Sequence, residues 1–209
     1  RPFLWRYWIH TPTRGRQVIF DRSWYRRVLA DRVNKEISGD ELRQSFEDIR
    51  SFERALADDG NVIVKLWLHI SKKEQARRFR KLSGNPATAW RVTKDDLKAQ
   101  KQYDKYIAAV DEMLAETDTD HAPWTVVEST DRRFAATKIF TALIQAIEHK
   151  IAEVEGAAAP ARPATVHEAI DLPAELHSSI LDNVDLTASL EADEYSKRLK
   201  KARARLREL

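Results

Sequence analysis

Val62-Ile-Val-Lys-Leu-Trp-Leu-His69 is the stretch on which the fold turns. It is apolar and partly β-branched almost without a break, and Lys65 is its one charged side chain. A half-covered strand alternates apolar with polar residues, so a continuous run predicts a strand covered on both faces, as in the middle of a parallel sheet. The helix such a sheet calls for follows at once. Ser71-Lys-Lys-Glu74 has capping-box spacing and opens a predicted helix to about Leu82, where Ser83-Gly84-Asn85-Pro86 breaks it.

The same reading extends in both directions. Ser38-Gly-Asp-Glu41 is a second capping-box pattern, and Leu42, Phe46, Ile49, Phe52 and Leu56 then recur three or four apart until Asp59-Gly60. That spacing predicts an amphipathic helix with both ends marked. Downstream, Thr93-Lys-Asp-Asp96 starts a longer helix expected to end near Thr117, and Trp124-Thr-Val-Val-Glu128 reads as a strand. Asp131 to Ile151 reads as a helix with Ile139, Leu143, Ile147 and Ile151 at four-residue spacing. Upstream, Val18-Ile19-Phe20 follows the turn residue Gly15 and stops at Asp21, which predicts a buried strand over Arg16–Phe20 ending in a carboxylate. Strands alternating with helices define the α/β class with a parallel sheet.

From Ala152 to about Pro173 the chain turns to Ala, Pro and Glu with no period, the mark of a linker. Leu190 to Leu209 then sets Tyr195, Leu199, Ala202, Leu206 and Leu209 on one stripe among Lys and Arg. This is an amphipathic helix whose apolar side has no evident partner, and it is expected to open a second domain.

Composition bounds the function classes. The 209 residues are 43% hydrophobic and 33% charged with only 5 Gly and 7 Pro, which suits one helix-rich globular domain plus an appendage. Zero Cys excludes a disulfide framework and a thiolate zinc site, so a reducing compartment, the cytoplasm, is expected. The apolar run from Val62 to Ile70 is far short of the ~20 residues that cross a bilayer, so no membrane partner is expected. Arg1 stands where Met is usual and no apolar leader follows, a start that reads as truncated. Of the 6 Trp, those at Trp5, Trp8 and Trp24 are expected to pack around one element. The six His show no metal-binding spacing, and His69 reads as a hydrogen-bonded core residue.

A net charge of +3 is modest, but the basic residues concentrate in Arg22–Arg32, Lys72–Lys81 and Lys197–Arg207, which points to a polyanionic ligand. Ligands of open parallel sheets bind beyond the carboxyl ends of the strands, which is where Asp21 is expected. An apolar run followed by Asp is the Walker B arrangement, in which the carboxylate holds Mg²⁺ or its waters beside phosphates. The same Asp could equally cap a helix. Arg22, Arg26 and Arg27 fall within the next six residues, and guanidinium forks match phosphate oxygens, so the group reads as a phosphate cradle. One of these arginines is also a natural partner for Asp31. Arg77 and Lys81 lie four apart in the second basic run with Arg78 beside them, and Arg91 follows past Asn85-Pro86, an arrangement suited to a lid that brings cations over phosphates. No G-x-x-x-x-G-K-[ST] phosphate loop occurs.

Several stretches together resemble the polyphosphate kinase 2 family. Pro2-Phe-Leu-Trp-Arg-Tyr-Trp8, Ile19-Phe-Asp-Arg-Ser-Trp-Tyr25 and Arg27-Val-Leu-Ala-Asp-Arg-Val33 are similar to its Walker B region. Leu68-His-Ile-Ser-Lys-Lys-Glu-Gln75, Arg78-Phe79, Asn85-Pro86 and Trp90-Arg91 resemble its lid. Asp118-Thr-Asp-His-Ala-Pro-Trp124 and Asp131-Arg-Arg133 resemble its last strand and following helix. The resemblance implies a P-loop nucleoside-triphosphate-hydrolase-like three-layer fold with a helical lid, lacking here its N-terminal strand and Walker A. It implies Asp21 as the Walker B carboxylate and Mg²⁺ ligand, Arg22 as a phosphate contact, and Arg78, Lys81 and Arg91 as lid cations. Glu is usual in the family where Asp31 stands, a change that keeps the charge and shortens its reach.

Residues 1–151 would be this domain, 152–180 a linker, and 181–209 the helical start of a second copy, which Asp182-Asn-Val-Asp-Leu186 and Tyr195–Leu209 resemble. Two copies in tandem resemble the branch of the family that makes ADP from AMP with inorganic polyphosphate as donor. The expected partners are polyphosphate, AMP or another nucleotide, and a further copy of the chain as a homo-oligomer, with no nucleic acid. An ATP-dependent nucleoside monophosphate kinase of thymidylate-kinase type and a non-catalytic polyanion-binding module are the competing readings.

Overall fold

A computed structural model describes residues 2–156 and 179–209; most of the expected linker, 157–178, lies outside the described residues. Its centre is a parallel pair, β1 (Lys65–His69) beside β2 (Trp124–Glu128), in register from Lys65 opposite Trp124 to His69 opposite Glu128. The connection between them runs through α3 (Lys72–Ser83), α4 (Lys94–Lys101) and α5 (Tyr103–Thr117). Before the pair come α1 (Trp5–Trp8) and α2 (Gly39–Asp58), and after it α6 (Arg132–Glu155) and α7 (Ala192–Glu208). Among the described residues no helix is long and apolar enough to cross a membrane.

The periodicity of α2 explains what it buries. Phe46, Ile49 and Phe52 enter one core with Val110, Met113 and Leu114 of α5, Trp124 of β2, and Trp24, Tyr25, Val28 and Leu181. Ile49, Met113 and Leu114 are fully buried, each contributing about 1.5–3 kcal/mol by leaving water. Gly60, at φ +90°, makes the left-handed turn between α2 and the approach to β1 without a Cβ penalty.

Several expectations are corrected. Residues 16–20 form no strand: Ile19 is 93% exposed and Val18 41%. Backbone N–H and C=O groups need a neighbouring ladder, and none stands beside this run among the described residues. Only Phe20 turns inward, its ring 5.8 Å from Tyr7 and 5.6 Å from Trp24. β1 begins at Lys65 rather than Val62, and Leu68 is 54% exposed, so one side of the strand is left uncovered. The predicted helix from Thr93 to Thr117 is two helices that break at Gln102. Tertiary anchors fix the start of α5, since Tyr103 Oη donates to Ile70 O at 2.8 Å and Lys72 pairs with Asp104 at 2.7 Å.

The capping boxes divide. Thr93 and Asp96 form the full reciprocal pair, Ser71 accepts from Glu74 N–H alone, and the Ser38 side chain caps nothing. Helix α6 continues through the first residues of the expected linker to Glu155, because Ala and Glu sustain a helix until Gly156 closes it at φ +66°. Trp8 and Trp24 share Phe52, at 5.9 and 5.1 Å, whereas Trp5 remains 45% exposed. Helix α7, expected to lack a partner, lies against α6, and Arg205 Nε donates to Glu148 Oε1 at 2.7 Å. His69 is buried, yet its ring makes no hydrogen bond to a described residue. Burial shifts its pKa down, favouring the neutral ring, with Asp182 opposing.

Candidate functional site

The segment from Asp21 to Arg27 is held from behind by a buried polar network. Glu53, on the inward face of α2, accepts from Trp24 Nε1 at 2.9 Å and from Tyr25 Oη at 2.6 Å. Lys65 Nζ donates to Glu53 Oε2 at 2.9 Å, to Tyr25 Oη at 3.1 Å and to Thr117 O at 2.5 Å. All three ammonium protons are therefore used, which is what allows a charge to sit in a core. Burial pulls the Lys65 pKa down while Glu53 opposes it, and burial followed by Glu53 pushes the Tyr25 hydroxyl well up.

The backbone in front of this anchor is strained. Arg22 has φ +59° and Ser23 φ +28°, conformations that cost a non-glycine residue about 1–3 kcal/mol. Tyr7 Oη donates to Ser23 O at 2.6 Å on one side, and the buried Trp24-Tyr25 pair clamps the other. Strain survives where surrounding contacts over-determine it, and that is the case here. Asp21 is exposed, and its carboxylate makes no hydrogen bond or ion pair with a described residue.

The three arginines do not form one cradle. Arg26 Nε pairs with Asp31 Oδ1 at 3.2 Å. Burial raises the pKa of Tyr106 on α5, and the charges of Arg22 and Arg26 oppose that rise. Hydrogen bonds from Thr93 lower the Asp96 pKa at the start of α4, and the charge of Arg22 adds to the effect. Arg27 belongs to another groove, of about 370 Å³, with Phe3, Asp40, Glu41 and Asp48. Its guanidinium stands 5.7 Å from the Phe3 ring, and its buried Nε has no hydrogen-bond partner among the described residues. Adjacent residues of a helical turn diverge by roughly 100°, so Arg26 and Arg27 cannot share a face.

The lid residues divide in the same way. Glu74, buried near the start of α3, receives Arg77 in a bidentate pair at 2.6 and 2.7 Å and Arg78 Nε at 2.7 Å. Arg78 Nη2 also donates to the Ser129 and Thr130 carbonyls at 2.7 and 3.0 Å, tying α3 to the carboxyl end of β2. Lys81 and Arg91 are exposed, with no side-chain hydrogen bond or ion pair to a described residue. Among the described residues, no hydrogen bond or ion pair joins Asp21, Arg22, Arg26 or Arg27 to these lid cations.

Arg77's hydrogen bonds, with help from Arg78, hold the Glu74 carboxyl at about 2 against an ordinary value of 4.5. A lowered folded-state pKa means stabilisation that is fully present above about pH 4.5 and lost as pH falls towards 2. Acid unfolding followed by circular dichroism is therefore expected to show a steeper loss of stability across that window in the wild type than in Glu74→Gln. Equal slopes would remove Glu74 from the acid response.

Glu53 and Lys65 carry no functional role in the linear reading, although each leaves a signal. Lys65 is the one charge in an apolar strand run, and Glu53 falls four residues after Ile49 on the apolar face of α2. A buried charge requires a buried partner, so the two can be matched.

A parallel β-α-β unit, with loops and helices rich in arginine and lysine around it, defines an α/β protein with a parallel sheet. Comparison with known proteins narrows this class to one family. Residues 1–155 match the family model Polyphosphate kinase 2, and the chain belongs to that family. It is 38% identical over 148 residues to a polyphosphate:AMP phosphotransferase of Pseudomonas aeruginosa, covering 71% of this chain and 30% of that protein. An AMP/ADP-polyphosphate phosphotransferase of Meiothermus ruber is 35% identical over 148 residues, 71% of this chain and 55% of that one. A solved polyphosphate kinase 2 structure from Arthrobacter aurescens superimposes with TM-score 0.63 at 30% identity, covering 80% of this chain and 57% of the other. The chain thus spans between 30% and 57% of the length of these relatives.

Proposed function

We propose that the full-length protein moves a terminal phosphoryl group from inorganic polyphosphate to a nucleotide, with AMP as acceptor and ADP as product. The observation that carries this reading is the loop at Asp21: an exposed carboxylate, without an ion pair among the described residues, beside a strained Arg22, clamped from below by a buried network. The polyphosphate phosphotransferase activities for which the relatives are named support the choice of donor. We read the fold as P-loop nucleoside-triphosphate-hydrolase-like with α3 and α4 as lid, 1–151 as the transferase domain and 181–209 as the start of a second copy.

Mg²⁺ suits the residues present. Among the described residues no three His, Asp or Glu side chains gather into a metal site, so Asp21 would offer a single hard oxygen ligand. An ion that keeps most of its waters and takes phosphate oxygens asks for no more, and when bound it would neutralise charge on the transferring group. The chain's own side chains supply position and charge. Arg22 and Arg26 would meet phosphate oxygens, with Arg26 shared between them and Asp31. Arg77, Lys81 and Arg91 would contribute charge from the lid while Arg78 tethers it. An acceptor phosphate oxygen attacks the terminal phosphorus, the bond to the bridging oxygen breaks, and the polymer leaves one unit shorter.

Comparing donors tests this. ADP formation from AMP is expected with polyphosphate and not with ATP; faster turnover with ATP favours the nucleoside monophosphate kinase reading and overturns ours. Polyanion binding with no Mg²⁺-dependent turnover from either donor supports a non-catalytic module instead.

A further inference from the structure

Helix α7 lies beyond the residues that match the family, and the transfer site makes no use of it. Its apolar side, with Leu199 and Leu206 half-buried, rests on α6, and Arg205 is bound to Glu148 and Glu208. Arg198 pairs with Glu194 at 2.7 Å, and Lys197 helps hold that same carboxyl low. Lys200, Lys201, Arg203 and Arg207 remain exposed, with no ion pair or side-chain hydrogen bond to a described residue.

The spacing of these cations matters more than their number. Lys200 and Arg203 are three apart, Arg203 and Arg207 four, and Lys197 and Lys201 four, so like charges stand next to each other along the solvent side of one helix. Such pairs weaken a helix, and a bound anion would reverse the effect. From Lys197 to Arg207 the stripe is about 15 Å long at 1.5 Å per residue, which favours an extended anion over a compact one. A rigid helix docked on α6 also fixes the charges relative to the domain, unlike a charged tail.

We propose that the solvent face of α7, through Lys200, Lys201, Arg203 and Arg207, is a second docking stripe for the polyphosphate chain, apart from the transfer site. This rests on the polyphosphate reading for the identity of the anion. The stripe holds a long donor by counterion release and raises its local concentration at the domain, and triphosphate, too short to span it, gains little.

The test is fluorescence anisotropy of labelled long-chain polyphosphate on the full-length protein, wild type against the quadruple variant Lys200→Gln, Lys201→Gln, Arg203→Gln and Arg207→Gln. Glutamine sustains a helix and Arg205 is untouched, so circular dichroism is expected to be unchanged. Long-chain affinity is expected to fall about tenfold or more, and the slope of log K against log salt to shrink by about one per cation removed. Saturating turnover of triphosphate is expected to stay at the wild-type level. Unchanged long-chain affinity and salt slope in the folded variant overturn the proposal, as does a wild type that binds single-stranded RNA more tightly through this face. Whether wild-type protein makes ADP from polyphosphate is read separately, so loss of that activity counts against the function and not against the stripe.

Discussion

Asp21→Asn in the full-length protein is expected to cut polyphosphate-dependent ADP formation about a hundredfold or more, with the melting temperature essentially unchanged. Asn preserves the shape of the side chain and removes the charge that would hold the metal and its phosphate oxygens, a contribution of several kcal/mol to the transition state. Folding has little at stake, because the carboxylate is exposed and pairs with no described residue. The readouts are kcat with saturating AMP and polyphosphate, and thermal unfolding of the same preparation. Near wild-type turnover would refute the assignment of Asp21.

The second large effect is on stability. Lys65→Met leaves the Glu53 carboxylate, whose side chain is 0% exposed, without its counter-charge, and Glu53→Gln does the converse to an ammonium that is 4% exposed. Breaking a buried pair on one side costs about 3–5 kcal/mol, whereas removing both charges costs much less. For a chain of this size either single change is expected to lower the melting temperature by about 10 °C, with the double variant Glu53→Gln/Lys65→Met recovering part of it. Amides of Trp24 and Tyr25 are expected to exchange faster in the single variants, since Trp24 Nε1 and Tyr25 Oη both depend on Glu53. A single variant that melts with the wild type would show that the pair does not hold the loop.

Part of the site was legible and part was not, for identifiable reasons. Arg22 and Arg26 could be grouped because they are close in sequence, and the charges of both act on the Tyr106 hydroxyl. Arg27 is equally close in sequence but turns to Phe3, since helical rotation separates neighbours. Arg77 and Arg78 read as free cations because Glu74 was assigned to a capping box as the partner of Ser71, although it stands three and four residues before them and its side chain takes both. The strained backbone at Arg22 and Ser23 leaves no trace in composition, for neither residue is a glycine.

The amino-acid sequence alone determined the α/β class, the strand at Trp124–Glu128, the helices at Gly39–Asp58 and Lys72–Ser83, and the family, because periodicity, end signals and long motifs are properties of adjacent residues. Tertiary structure decided that Val18-Ile19-Phe20 stays outside the sheet, that Gln102 divides a helix, and that α7 settles on α6 with a cationic stripe outward. Each of these depends on whether a partner far away in the chain is present to take a backbone ladder, a hydroxyl or an apolar face, and no local pattern records that.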